Sequence, residues 1–406
     1  MSDNPLADVV SRQYEKWRYP APIEDLQSWL QGSWQWFDPT VAQRILWPAR
    51  AYPPGMDILI AGCGTNQAAV FAYTNPGANV VAIDISDPSL DHHRYLKEKH
   101  GLSNLELHRL PIEEAPSLGR EFDLIVSTGV LHHMADPPAG IKALSKCLRQ
   151  DGAMALMLYA RFGRAGVEMM QSVFRSLGLR QDEPSLAIVK EAVSLLGPDH
   201  PLRSYMRIAP DLDNDAGVVD TFLHGRDRSY TTADCLELVE SADLVFQDWF
   251  FKAPYYPSPL TSPQSTFFGA VDELPDAKKW EVMERINTLN GCHFFIACRK
   301  DRPKASYKVD FAPDAAVNYI PRFRYRCGVK GTQITRPDWS LQLSPIHLAF
   351  VQHVDAKRTI GEIANLVANS GFLPSDYSAD PLEVARRLFD ALWRCDFIEI
   401  ALQPTA

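Results

Sequence analysis

From residue 57 the chain alternates short aliphatic runs with stretches of helical period. "DILIAG", "NVVAIDIS", "LELHRL", "FDLIVSTG" and "AMALMLYA" have the length and apolarity of strands, while "NQAAVFAYTN", "PSLDHHRYLKEKHG" and "PAGIKALSKCLRQDG" between them read as helices. This alternation predicts an α/β domain with a mostly parallel sheet and helices on both faces. Residues 161–228 interrupt it with helical material, "GVEMMQSVFRSLGL" and "SLAIVKEAVSLLG". Strand texture returns after "ADCLELVESAD", a helix capped by Thr231 or Thr232, in "LVFQDWFF" and "GCHFFIACRK". These two closing strands predict a hairpin-like sheet edge.

The flanks differ. Residues 1–50 are rich in aromatics (Trp17, Tyr19, Trp29, Trp34, Trp36, Phe37, Trp47) and are punctuated by Pro20, Pro22, Pro39 and Pro48, which predicts short helices capping a larger body. The polar stretch "KDRPKAS" reads as a linker, so a domain over 51–302 with an insert at 161–228 is expected. Residues 303–406 combine the strand-like "YIPRFRYRCGVKGTQITR" with helices, one starting at Asp380, Pro381 and Glu383, and resemble a small α+β winged-helix module. In that run Arg322, Arg324 and Arg326 stand at strand spacing and are expected on one solvated face.

Bulk composition narrows the function. With 406 residues and 46% hydrophobic content, the chain can bury a sizeable core in two or three domains. A net charge of −9 argues against nucleic acid or a membrane surface as the partner. The cysteines (Cys63, Cys147, Cys235, Cys292, Cys298, Cys327, Cys395) form no C-x-x-C pair and are expected as reduced thiols rather than zinc ligands. The charged start "MSDNPLADVVSRQYEKW" is unlike a signal peptide and no run is long enough to span a bilayer, so a cytoplasmic location is expected.

The candidate chemistry lies in "ILIAGCGTNQAAV", residues 58–70. Two glycines after an aliphatic run let a ligand approach the backbone. A dinucleotide site of the form G-x-G-x-x-G would need a third glycine where Gln67 stands. Asp84 ends the next strand at the offset from which an acid accepts ribose hydroxyls. Glycine turn plus acid is a nucleoside signature that dehydrogenases share.

The stretch "EFDLIVSTGVLHHMADP", with Phe122, Asp123, Leu124, Ile125, Ser127, Leu131, His132 and His133, resembles the class I S-adenosylmethionine-dependent methyltransferases, whose Rossmann-like sheet has seven strands. "LRQDGAMALMLYA" is similar to their fifth strand, with Gln150, Asp151 and Gly152 at the preceding turn. "QYEKWRYPAP" resembles the Q-Y-E-x-x-x-Y-P opening of a bacterial group of such enzymes, and with the loop, "LPIEE" and "DRSY" the likeness spans roughly residues 10–300. The resemblance implies S-adenosylmethionine as cofactor and S-adenosylhomocysteine as product. It places Ala61, Gly62, Cys63 and Gly64, with Asn66 and Gln67, around the methionine part. Asp84 and Ile85 fall at the ribose, Leu110, Pro111, Ile112 and Glu113 at the adenine, and Ser127, Thr128 and Gly129 at the methionine end. Two positions depart from the pattern: Ile60 replaces a customary acid, and Asn66 replaces a third glycine, where tolerance of left-handed backbone is expected.

An electrophilic methyl held in line with a nucleophile needs positioning above all, and no metal. Tyr14 and Tyr19 are candidates to face the sulfonium through cation–π contact, and His132, His133 or Tyr14 to take a proton from the acceptor. Arg228 and Tyr230 in "HGRDRSYTT" are candidate acceptor contacts. The expected acceptor is a small molecule or a protein or peptide side chain, with a homodimer through the C-terminal module as a further expectation. A nicotinamide-dependent dehydrogenase and a non-catalytic adenosyl-binding protein remain the alternatives.

Overall fold

The computed structural model describes residues 5–17, 19–51, 55–258, 260, 265–373 and 378–402. The chain forms two compact units, one of Met1–Trp36, Pro54–Trp249 and Glu284–Asp301, the other of Phe37–Pro53, Phe250–Met283 and Arg302–Ala406. The units interleave along the sequence: one division falls at 301/302, beside the expected domain end, while Phe37–Pro53 and Phe250–Met283 belong to the second unit. Linker composition marks where a chain can turn, whereas unit membership is set by which apolar faces pack together.

The first unit is built on seven strands: β1 (Asp57–Ala61), β2 (Asn79–Asp84), β3 (Leu105–Arg109), β4 (Phe122–Thr128), β5 (Leu148–Tyr159), β6 (Leu244–Trp249) and β7 (Cys292–Arg299). Their order is β3-β2-β1-β4-β5-β7-β6, with parallel pairing throughout except at β7, which runs antiparallel to both neighbours. Ile58 to Ala61 are all buried, as a strand with helices on both faces requires. The predicted closing pair forms the sheet edge.

Between β4 and β5 the register steps from Phe122↔Leu148 to Leu124↔Ala153, so three surplus residues, 150–152, loop out of the ladder. The turn expected at Gln150, Asp151 and Gly152 is thus a bulge inside β5 rather than a break before it. The insert folds as the helices Ala165–Ser176, Glu183–Leu195, Leu202–Met206 and Asp215–Phe222, which share a core including Val167, Phe174, Val189, Leu202 and Val219. Thr231 caps the next helix in a reciprocal box with Asp234.

Connections from β1 run one way to β2 and β3 and the other way to β4. The strand order therefore reverses between β1 and β4, and a crevice opens beyond their carboxyl ends. Ala61↔Ile83 and Ile60↔Val126 are in register, which brings the residues after β1, β2 and β4 to one rim.

In the second unit, β8 (Ile320–Phe323) pairs with β12 (Ile398–Ala401), and β9 (Gly328–Lys330), β10 (Gln333–Arg336) and β11 (Trp339–Gln342) form an antiparallel sheet. The helices Pro345–Val351, Ile360–Asn369 and Pro381–Arg394 pack around Phe350, Ile363, Leu388 and Phe389. The arginine stripe is not one exposed face. Arg324 is buried, donating to Phe250 O at 2.9 Å and paired with Asp396, while Arg322 lies 3.7 Å from Glu399. Arg326 sits beyond β8 with φ 58°, because the strand ends at Phe323 and its alternation ends with it. None of the seven cysteines forms a disulfide. Among the described residues no helix is long and apolar enough to cross a membrane.

Candidate active site

After β1 the chain turns through Gly62 (φ 76°) and Gly64 (φ 53°), left-handed values that side chains resist. A Cβ on Gly62 would lie 2.5 Å from Val130 Cγ2, and one on Gly64 3.1 Å from Pro20 Cδ. The bare turn therefore admits Val130 from the loop after β4 and Pro20 from the N-terminal segment, besides opening onto the crevice. Asp84 holds the turn in place. Its Oδ2 accepts Gly64 N–H and its Oδ1 accepts Ser86 N–H, each at 2.9 Å. Burial pushes the Asp84 carboxyl up to about 6 against the pull of those amides. The Cys63 thiol is raised as well, by burial and by the charge of Asp84.

Asn66 departs from expectation. Its φ is −133°, so no left-handed backbone is needed; the side chain acts instead. Oδ1 accepts Ile23 N–H and Nδ2 donates to Ala21 O, both at 2.8 Å, while Thr65 Oγ1 donates to Pro20 O at 2.7 Å. The N-terminal segment is fastened to the glycine turn by these bonds. Gln67 Nε2 reaches Thr128 Oγ1 at 3.2 Å, joining the loops after β1 and β4.

Above the turn lies a cavity of about 1,000 Å³, at the upper end of the size of small-molecule sites. Tyr14, Tyr19, Gly62, Cys63, Gly64, Asn66, Gln67, Asp84, Ile85, Leu110, Pro111, Ile112, Glu113, Thr128, Gly129 and His133 all line it. Most of the sequence-expected site is thereby brought together. Ala61 is buried in β1 and does not line the cavity, since its side chain belongs to the sheet. Trp29, Trp36, Ile208 and Phe294 add apolar surface.

A polar cluster backs this cavity. Asp220, 2% exposed, accepts Tyr14 Oη (3.0 Å) and Gln13 Nε2 (3.2 Å) on Oδ1 and Tyr159 Oη (3.2 Å) on Oδ2. Burial raises its carboxyl above the ordinary range. Tyr14 is raised well above an ordinary phenol, first by burial and then by the charge of Asp220. Arg226 N–H donates to His224 Nδ1 at 3.0 Å, so the proton of this imidazole resides on Nε2, 3.5 Å from Tyr14 Oη. His133 Nδ1 lies 2.9 Å from Arg226 O and its ring stacks on His224 at 3.8 Å. Arg164 covers the Tyr159 ring at 3.6 Å and pairs with Asp227 at 2.9 Å. Arg226 grips Asp8 with two bonds, 2.8 and 3.1 Å, closing the N-terminal helix Val9–Lys16 over the insert.

Three expected roles change. His132 is fully buried, does not line the cavity, and neither ring nitrogen has a hydrogen-bond partner; burial holds it well below an ordinary histidine, so it is a packed neutral ring against Tyr159. Arg228 and Tyr230 lie outside the cavity lining. Arg228 donates to Ala135 O, and the Tyr230 backbone bridges to Tyr159 and Arg161, because this segment returns the chain to the sheet. Asp220, Tyr159, Arg226 and Tyr205 were not anticipated. One signal was present: Asp220 is a lone acid in the apolar run "GVVDTFL".

Seven strands in this order, one antiparallel, with a glycine turn where the order reverses, make the Rossmann-like sheet of the class I methyltransferases. The comparisons agree: residues 53–186 match the model of a methyltransferase domain. An uncharacterized protein of Synechococcus sp. is 28% identical over 370 residues, 86% of this chain and 85% of that protein. The ubiquinone biosynthesis O-methyltransferase of Acinetobacter baylyi is 28% identical over 99 residues, 24% of this chain and 41% of that enzyme. Among solved structures, PKMT2 from Rickettsia typhi in complex with AdoHcy covers 90% of this chain and 75% of its own, with 17% identity and a TM-score of 0.61, a likeness of fold.

Proposed function

We propose that the chain is an S-adenosylmethionine-dependent methyltransferase acting on an O, N or C nucleophile of a small molecule or of a protein or peptide side chain. The observation that carries this reading is the joint placement of the Gly62–Gly64 turn and Asp84 on one wall of the cavity, bonded to each other at 2.9 Å. The cofactor supplies an electrophilic methyl group. Asp84 lines the cavity, and ribose hydroxyls donate to its carboxylate in competition with the Ile85 N–H and the Cys63 thiol, which approach it besides the two amides. Leu110 to Glu113 flank the adenine, and the turn together with Thr128 and Gly129 cradles the methionine part. Ile60 is a fully buried aliphatic side chain, so another acid or a backbone carbonyl serves the methionine ammonium.

The N-terminal segment and the insert both line the cavity, and orientation is the main source of rate; well-placed reactants gain about 7–11 kcal/mol. A cavity of about 1,000 Å³ leaves room for an acceptor beside the cofactor. Calorimetry with S-adenosylhomocysteine tests the reading. Wild type binds, and Asp84→Ala weakens binding at least about tenfold, equivalent to about 1.4 kcal/mol. Equal affinities would remove the ribose assignment. Binding without methyl transfer from labelled cofactor to any cell-extract fraction would leave an adenosyl-binding protein.

A further inference from the structure

We propose that Asp220 receives, through Tyr14, the proton that a hydroxyl or amine acceptor gives up when it is methylated. This rests on the methyltransferase reading and narrows the acceptor to a nucleophile that brings a proton.

The argument starts from lone pairs. Tyr14 has one hydroxyl proton and spends it on Asp220 Oδ1, at 3.0 Å. What Tyr14 Oη presents to the cavity is therefore an acceptor, with the proton-bearing Nε2 of His224 at 3.5 Å on another side. Tyr159 is disposed alike, donating to Oδ2 at 3.2 Å while lining the same cavity. An incoming O–H or N–H can donate to such an oxygen. A carboxylate or phosphate would meet lone pairs backed by negative charge.

Asp220 itself does not line the cavity and touches it only through the tyrosines. Its three hydrogen-bond donors are neutral, and the neighbouring guanidinium of Arg164 is committed to Asp227. Holding two phenols and an amide would need only a neutral acceptor, and a charge buried without a cation is costly. A carboxylate adds one capacity to such an anchor: it can take a proton. Asp220 is thus a positioning residue that acts through Tyr14.

The step balances. The acceptor's lone pair forms a bond to the methyl carbon as the carbon–sulfur bond breaks, its electron pair staying on sulfur. The acceptor's proton passes to Tyr14 Oη, whose own proton moves to Asp220 Oδ1. The sulfonium charge and the carboxylate charge disappear together, and the proton returns to water when the product leaves. The groups facing Asp220 are Tyr14 and Gln13 from the Val9–Lys16 helix, Tyr159 from β5, His133 after β4, His224 and Asp227 beyond its own helix, and Arg164 at the head of Ala165–Ser176.

The test uses the full chain, S-adenosylmethionine labelled in its methyl group, and lysate of the expressing cells as the acceptor pool. Wild type, Asp220→Asn and Tyr14→Phe are compared from pH 6 to 9, and S-adenosylhomocysteine affinity is measured for each. Both variants are expected to bind within about twofold of wild type yet transfer label at least about 100-fold more slowly. The residual Asp220→Asn rate should climb about tenfold per pH unit as hydroxide replaces the carboxylate, whereas wild type levels off. The labelled product should resist mild alkali, as ethers and methylamines do. An Asp220→Asn rate within threefold of wild type, or label released by alkali as methanol from a methyl ester, overturns the proposal. Wild type that binds no S-adenosylhomocysteine sinks the donor assignment instead; wild type that binds it and labels nothing sinks the proton route along with transfer.

Discussion

Asp84 is both a tie within the turn and the predicted ribose anchor, and pH separates these duties. Its folded pKa is about 6, against 3.8 for an ordinary aspartate, a rise of roughly two units. That corresponds to as much as about 3 kcal/mol of disfavoured charge, less to the extent that cavity water reaches it. The raised value means that between about pH 4 and 6 the folded protein holds a proton that the unfolded chain has released. This contribution to stability is full below the unfolded pKa and is lost as pH rises through about 6. Binding has the opposite sense, because ribose hydroxyls donate to the ionised carboxylate. Calorimetry with S-adenosylhomocysteine should show affinity nearly constant from pH 8 to 7 and falling about tenfold per unit below about 6.

In Asp84→Asn the amide oxygen still accepts one of the two N–H groups, but its NH₂ opposes the other, a loss of about 1–3 kcal/mol. Relief of the buried charge offsets most of this. Unfolding free energy at pH 8 should therefore stay within about 1 kcal/mol of wild type, while affinity drops at least about tenfold and loses the acid limb contributed by Asp84. Glu113, which also lines the cavity and is raised by burial, stays in both proteins, so the difference between the two profiles belongs to Asp84. Wild-type affinity that stays flat from pH 7 to 5, or a variant profile parallel to it, would defeat the reasoning.

Gly62→Ala should destabilise by about 2–4 kcal/mol, summing the left-handed φ and the overlap 2.5 Å from Val130 Cγ2, and Val130→Ala in the same chain should recover the overlap part; denaturant midpoints report both. Substituting His132 by phenylalanine removes two ring nitrogens that have no hydrogen-bond partner and should stabilise by about 1–3 kcal/mol, with S-adenosylhomocysteine affinity unchanged. The gain should grow as pH falls below the ordinary histidine value, because the depressed His132 favours the folded state only above it; equal acid sensitivity in melts of the two proteins would contradict the packed-ring account.

Elements and cavity-lining residues written in local pattern were legible from the chain alone. The aliphatic runs became β1 to β5, Thr231 capped its helix, and the glycine turn, Asp84 and the Leu110–Glu113 stretch met at one cavity. What escaped depends on distant packing. Nothing near Asp220 in sequence announces Tyr14 and Tyr159, 206 and 61 residues away, because the insert must first fold against the N-terminal helix. The pair His132–His133 looked like one motif, yet the 3-10 turn that follows β4 sends one ring into the core and the other to the cavity. Arg324 read as a surface cation until Asp396 supplied a buried partner.

Asn66 and Thr65 bind the stretch from Pro20 to Ile23 to the very loop whose amide Asp84 grips. Strap and crevice therefore share one seam, and by thermodynamic reciprocity whatever tightens one side must tighten the other by the same free energy. Occupancy of the donor site would then be legible at a distance, as slower protease nicking of the first thirty residues, and loosening that strap would be felt as faster escape of the nucleoside.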